Sequence, residues 1–487
     1  MAQYPGFIGG SYQAQAVTAD QEQTINWYVE GAESAGATSR SALYPTPGVS
    51  QLANETTGIG RAHYAIGGRE FAVIGTKFFE IGLTGTLTQR GTVAIDANPA
   101  TISANGDSGG ELFVTSGGNG YIYNLASNLL SQIAQLNGTA TMGDMLDGFF
   151  LCLDAATSTL QISNLLDGTT WQPSQIARRN LAPDRWVAMK VLGRYIWLLG
   201  QQTTEVWYNS GASPFPFAPY SVGVIPHGIA APFSATIVGP TICWLQASHF
   251  GAAKVMQATG FAPNEVSTIP LQIAINGYNN IADAVGDCYT DLGHTFFLLS
   301  FVNADITWTL DTGTGVWSQR GTWIPENNAF AAWRPRYHAY IFNQHRLLDA
   351  TSGVVYVMSS SIATDSGGRL IRRVRRAPGL MNEMQRVFYS SFELDLEPGL
   401  GLSAGQGSQP QACLRMSNDG GKTWGSEIWR NAGPLGEFQH RVRWTRCGAA
   451  RRRVFEVSLS DPVPWRLTNA YLMTSGAPPS QPAQRTQ

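Results

Sequence analysis

The chain has 487 residues, 53 of them glycine and 14 tryptophan, with only 14% charged side chains and a formal net charge of −2. That balance excludes a disordered chain and a helical bundle, and the length allows one large repeat domain plus a smaller one. The near-zero total hides a step: residues 1–360 carry 15 Lys and Arg against 24 Asp and Glu, net −9, whereas 361–487 carry 17 against 10, net +7. A step of that size marks a change of domain or of exposed surface, so the last quarter is expected to face something acidic, whether a subunit, a partner or nucleic acid.

Five cysteines (Cys152, Cys243, Cys288, Cys413, Cys447) are odd in number, widely spread and in no CxxC pair, which points to reduced core residues, not to a disulfide framework or zinc site. The opening MAQYPGFIGGSYQAQ has neither a charged n-region nor an apolar h-region, and no run reaches the ~18 apolar residues of a membrane span. Folding in a cytoplasm, without a secretion signal and without membrane insertion, is the expectation.

In chain order, residues 1–58 read as an arm with closing strands, holding one clear strand at 23–29 and a turn-rich segment at 43–49. From Arg61 a repeat begins. Arg61, Thr101, Thr141, Arg185, Gly228, Asn280 and Asn328 each open a segment of strand, turn and strand signals, spaced at roughly 40–50 residues, the length of a four-stranded propeller blade. Residues 148–217 repeat one pattern twice: an apolar run (149–153, then 195–199), a small polar turn, and an alternating strand ending near Trp171 or Trp207. A unit of that kind cannot bury both faces alone, so a ring of similar sheets is implied. The inner strands are read at 71–74, 112–115, 149–153, 196–199, 242–245, 296–301 and 339–342.

The fold class expected is all-β: a β-propeller over 59–362, with seven blades, or six if its first and last segments share one, then a small β-sandwich over 363–475 and a flexible tail over 476–487. Helix is scarce, the best candidate being 271–284. Strands of the sandwich are placed at 387–396, 412–417, 440–444 and 454–459, the first with Glu393, Asp395 and Glu397 alternating with Leu394 and Leu396.

Gly106-Asp107-Ser108-Gly109-Gly110 spells the surroundings of a trypsin-like nucleophile, but only His63 precedes it, too near for that architecture, so a turn is the better reading. Ser417-Asn418-Asp419-Gly420-Gly421-Lys422-Thr423-Trp424 matches the Asp-box S-x-D-x-G-x-x-W. Its chemistry is structural: the Asp419 carboxylate accepts backbone N–H bonds, Gly421 supplies a positive φ, and Trp424 packs between strands after the turn begun at Ser417. Arg372, Arg373, Arg375 and Arg376, with Arg451, Arg452 and Arg453, form a candidate subunit or partner interface, set against the reading of a solvated interdomain strand. The seven histidines show no metal-ligand spacing, and P-loop, Rossmann, HExxH and GxSxG patterns are absent, so no catalytic residue, metal or cofactor is expected.

The succession ISNLLDGTTW at 162–171, Pro183-Asp184, WLLG at 197–200, TTEVWYNSG at 203–211, PFPF at 214–217, GHTF at 293–296, Asp311 with Val316-Trp317-Ser318, the Asp-box, and RVFEVSLSDPV at 453–463 resembles the packaged-DNA stabilisation proteins of short-tailed phages over roughly residues 20–473. The resemblance implies a non-enzymatic virion protein at the portal vertex: a tail hub or nozzle, typically a homohexameric ring docked below the portal and adaptor, sealing the exit channel after packaging. It also implies tail spikes or fibres as partners and transient, non-specific contact with packaged DNA. The rival readings are a glycan-binding or sialidase-like propeller acting as a receptor-binding protein, and a DNA-binding regulator, which lacks any recognition element.

Overall fold

The computed structural model describes residues 1–475 except 35, 38, 107, 180, 249 and 250. The expected tail at 476–487 and Asp107 of the Gly-Asp-Ser-Gly-Gly turn lie outside the described residues.

Among the described residues, seven antiparallel units of four strands follow one another around an axis. Blades 1 to 6 span 60–92, 101–132, 142–178, 186–225, 236–265 and 285–324. Blade 7 is built from Pro335–Ile341, Gln344–Asp349 and Gly353–Ser359, and its outer strand is Gly48–Glu55 from the other side of the chain. The first and last segments of the repeat do not share a blade: the strand that completes blade 7 comes from the closing strands before Arg61, so the count is seven. The first strand of each blade touches that of the next, and blade 7 returns to blade 1, which closes the ring.

The apolar runs read as inner strands are, in blades 1 to 6, the second strands, one place out from the axis. Phe71, Ala72, Val73 and Ile74 are fully buried, as are Leu112, Phe113 and Val114. The cause is geometric: a second strand is covered on both faces by neighbouring blades and flanked on both edges, whereas the first strand turns an edge to the axial space and tolerates polar residues. The same shift redraws the two units read over 148–217, which run 142–178 and 186–225. The helix is Ile269–Asn276, with Pro270 at its start and Gly277 at its end, shorter and earlier than expected.

The sandwich draws on both sides of the propeller. One sheet runs Trp27–Gly31, Ser41–Pro45, Leu467–Ser475, Val387–Leu396, Val442–Thr445. The other runs Gln21–Ile25, Arg373–Arg376, Arg452–Leu459, Gln411–Ser417, Ile428–Asn431. Between them lies an aromatic core: Phe392 stacks on Phe455 at 4.9 Å, with Tyr4 and Trp444 edge-on or tilted at 6.0 and 5.7 Å from those rings.

Asn26 splices the two units. At φ +60° it turns the chain from one sheet to the other, donates from Nδ2 to the carbonyls of Gly321 and Arg372 (2.8 Å each), and accepts from the Gly321 N–H (3.0 Å). Asparagine suits this place because it tolerates left-handed backbone and brings both donor and acceptor. Beside it the buried Arg320 guanidinium lies 3.4 Å over the Trp333 ring and donates to Tyr289 Oη (2.7 Å) and the Pro47 carbonyl (2.6 Å).

Candidate functional site

The first strands of all seven blades line an axial cavity of about 330 Å³, with Tyr64, Asp144, Lys190, Phe233, Asp287 and His338 among its walls. Its carboxylates serve the ring itself. Asp144 accepts the Val191 N–H of the next blade (2.8 Å) and that of Met145 (2.9 Å); Asp287 accepts the His338 N–H (3.1 Å) and that of Cys288 (2.8 Å). Thr101 Oγ1 does the same for the Gly143 N–H (2.8 Å). Side-chain acceptors thus replace the main-chain partners that a first strand lacks on its axial edge. Nothing in the sequence flags these residues, because the pairing depends on which blade comes next.

Burial pushes the Asp287 carboxyl up to about 6 against the pull of its N–H donors. Burial, and then the nearby His345 and His63, push His338 down to about 3; its Nε2 lies 2.9 Å from His345 Nδ1. The linkage signs are opposite. Asp287 contributes stability that is complete below the ordinary carboxylate range and is lost as pH rises through about 6. His338 contributes stability that is present above the ordinary imidazole value and is lost as pH falls towards about 3. In a His338→Asn variant the second contribution disappears, so the stability gap between wild type and variant should widen from pH 3 to pH 6.5, by up to about 1.4 kcal/mol per pH unit. Urea unfolding across that range checks it, and a gap independent of pH refutes it.

Ser108 is exposed, while the His63 side chain is buried and engaged elsewhere: its Nδ1 lies 2.8 Å from the Tyr337 carbonyl and its Nε2 2.7 Å from Glu70 Oε1. Glu70 also pairs with Arg346 of blade 7, whose guanidinium donates to the Leu83 carbonyl at 2.7 Å. His63, Glu70 and Arg346 are therefore a buried polar rivet across the closing seam between blades 1 and 7. The axial cavity contains no arginine among its described lining residues, so it lacks the carboxylate-binding cluster that sialidase chemistry requires.

In the Asp-box, Asp419 Oδ1 accepts the N–H groups of Lys422 and Thr423 (2.9 and 3.0 Å), Oδ2 accepts the Thr423 hydroxyl (2.6 Å), and Ser417 Oγ accepts the Gly421 N–H (2.8 Å). These bonds hold the Asp419 carboxyl well below the usual range. Gly421 sits at φ +100°. Trp424 lies over two guanidinium groups, with Arg376 and Arg415 carbons 4.8 and 5.3 Å from its ring centre.

The interface read from the arginine runs needs correction at three positions. Arg373, Arg375 and Arg453 are buried, at 2%, 0% and 2% exposure. Arg375 gathers the N-terminal arm by donating to the carbonyls of Phe7 (2.6 Å), Gly10 (2.9 Å) and Gly6 (3.0 Å), to Thr24 Oγ1 (3.0 Å) and to Glu22 (2.5 Å). Arg453 donates to the Cys447 carbonyl (2.6 Å) and lies over Tyr389. Arg373 lies over Trp27, its pKa brought down to about 10 by burial. In a strand, alternate side chains point inward, so a run of arginines necessarily sends some into the sandwich. Arg372, Arg376, Arg451 and Arg452 retain surface exposure.

Two family descriptions match the chain: "Bacteriophage P22 Gp10, beta-propeller" over residues 10–363, and "Bacteriophage P22 Gp10, beta-sandwich" over 372–475. The chain belongs to the bacteriophage P22 Gp10 family. Membership makes it a structural phage protein, assembled with other virion proteins, of the tail and DNA-stabilisation class. No curated protein matches it. Among solved structures, the WD40 β-propeller domain of Doa1 aligns at 10% identity over 64% of this chain and 97% of its own, TM-score 0.41. YCF48 from Cyanidioschyzon merolae aligns at 12% over 64% and 98%, TM-score 0.41, and the computationally designed Ika8 protein at 10% over 69% and 99%, TM-score 0.38. The Gp10-family match runs from within the arm across the seam to the last described strand, so the interlocked pair of domains is covered almost whole.

Proposed function

We propose that this Gp10-family chain is a tail hub or nozzle subunit that assembles as a ring below the portal and adaptor, closes the DNA exit channel after packaging, and anchors the tail appendages. The observation that carries this reading is the double family match over a propeller and a sandwich joined by strand exchange. The axial cavity is the size of a small-molecule pocket, so a single propeller is no duplex conduit, and closure of a DNA channel falls to several copies arranged around it. Propellers leave few open sheet edges and present turns on two ends, which suits a stiff part with different neighbours above and below. The role is mechanical, with no bond made or broken.

The test is genetic. Particles assembled without this chain should package DNA and then lose it, measured as nuclease-resistant DNA per particle over time. Particles that keep their genomes would overturn the sealing role.

A further inference from the structure

Arg376 and Arg415 sit on the strands either side of Arg452–Leu459, each directly opposite Glu456. Glu456 is buried and accepts from Arg376 Nε (2.9 Å) and Arg415 Nε (2.9 Å). The Asp-box delivers Trp424 onto the same two side chains. Each guanidinium is thereby fixed by a carboxylate and a ring while one edge stays open. On the facing wall Arg372 lies 4.3 Å over Trp323, whose ring meets Phe330 at 4.9 Å.

Arg372, Arg376, Arg415, Glu456, Trp323 and Phe330 line one cleft of about 170 Å³ between the sandwich and blade 6. Among the described residues, Nη1 of Arg376, Nη1 of Arg415, and Nε and Nη1 of Arg372 donate no hydrogen bond, and none is sealed from solvent. Three guanidinium groups against Glu456 and the Arg372 partner Glu427 leave the site cationic. Planar forks held in place by stacking are the arrangement that receives a carboxylate with two parallel bonds and little loss of side-chain freedom.

We propose that this cleft receives an acidic turn from the propeller of a second copy of the chain, gripped by Arg372, Arg376 and Arg415. The occupant is a protein carboxylate because the cleft is short, walled by aromatic rings and floored by Glu456, whereas a phosphate backbone follows a continuous cationic groove. The source is another copy because residues 1–360 carry net −9 and residues 361–487 net +7, a pairing that favours head-to-tail contact. The inference rests on the ring reading above and gives one contact of that ring its chemistry. It also gives the Asp-box a purpose: the turn positions Trp424, and Trp424 positions the two forks.

Sedimentation velocity on the purified full chain tests it. Self-association should weaken at least about tenfold as NaCl rises from about 50 to about 500 mM. Arg372→Glu should weaken it by a similar factor at low salt with an unchanged melting temperature. Because removing Arg415 alone would leave one oxygen of the buried Glu456 without its partner, the second variant combines Arg415→Gln with Glu456→Gln, and it should weaken association too. The proposal is overturned if both variants associate as wild type does, if wild type stays monomeric at all concentrations, or if the variants lose binding to a short DNA duplex with self-association untouched. Genome retention is scored separately in particles, so a negative result here removes the cleft and leaves the sealing role standing.

Discussion

Arg375→Ala should destabilise the sandwich by about 3–5 kcal/mol, the range for breaking a buried charged pair on one side only. The side chain is fully buried and ties three carbonyls of the arm, Thr24 and Glu22 to one point. Its loss strands those carbonyls and leaves Glu22 facing an empty socket. Arg375→Lys should recover only a minor part, because a single ammonium cannot span acceptors spread around a planar fork. Limited proteolysis within the first twenty or so residues, combined with urea unfolding, checks both. An alanine variant with the wild-type unfolding midpoint and an uncut arm would refute the account.

The second large effect is at the seam. Arg346→Ala should cost about 3–5 kcal/mol by leaving Glu70 charged, buried and without its cation. Combining Arg346→Met with Glu70→Gln should restore most of the loss, since the pair is then neutral, similar in volume, and still able to meet His63. Because the rivet spans blades 1 and 7, the damage should be local first. Hydrogen exchange of the closing strand Gly48–Glu55 should accelerate in Arg346→Ala before that of Phe149–Asp154 in blade 3. Equal acceleration in both strands would argue against a seam-specific role.

Repetition made the propeller legible: seven openings near Arg61, Thr101, Thr141, Arg185, Gly228, Asn280 and Asn328 correspond to the seven blades. Continuous apolar runs such as 71–74 were sound as buried strands and misplaced by one position, because apolarity reports coverage on both faces, not distance from the axis. The Asp-box was readable because its bonds are local, each within four residues. The arginine runs were not. Whether Arg375 is solvated or buried is decided by Phe7, Gly6 and Gly10, more than three hundred residues away, and local sequence carries no trace of that meeting. The same distance hid the arm's membership of the sandwich, while the axial acceptors Asp144 and Asp287 were hidden because their partners lie one blade away, 47 and 51 residues on.

The exchange of strands between the two units has a consequence for manufacture. Leu43 pairs with Leu467, and Ala2 and Gln3 with Leu472 and Tyr471, so these strands wait for partners more than four hundred residues further along the chain. Trp27 and Tyr4 must wait, unsheathed, through the making of every blade, a period in which exposed apolar surface invites aggregation. A polypeptide interrupted before residue 467 would never gain those partners. Closure of that sheet thus depends on synthesis having passed residue 467, which couples the sandwich to the far side of the propeller in time as well as in space.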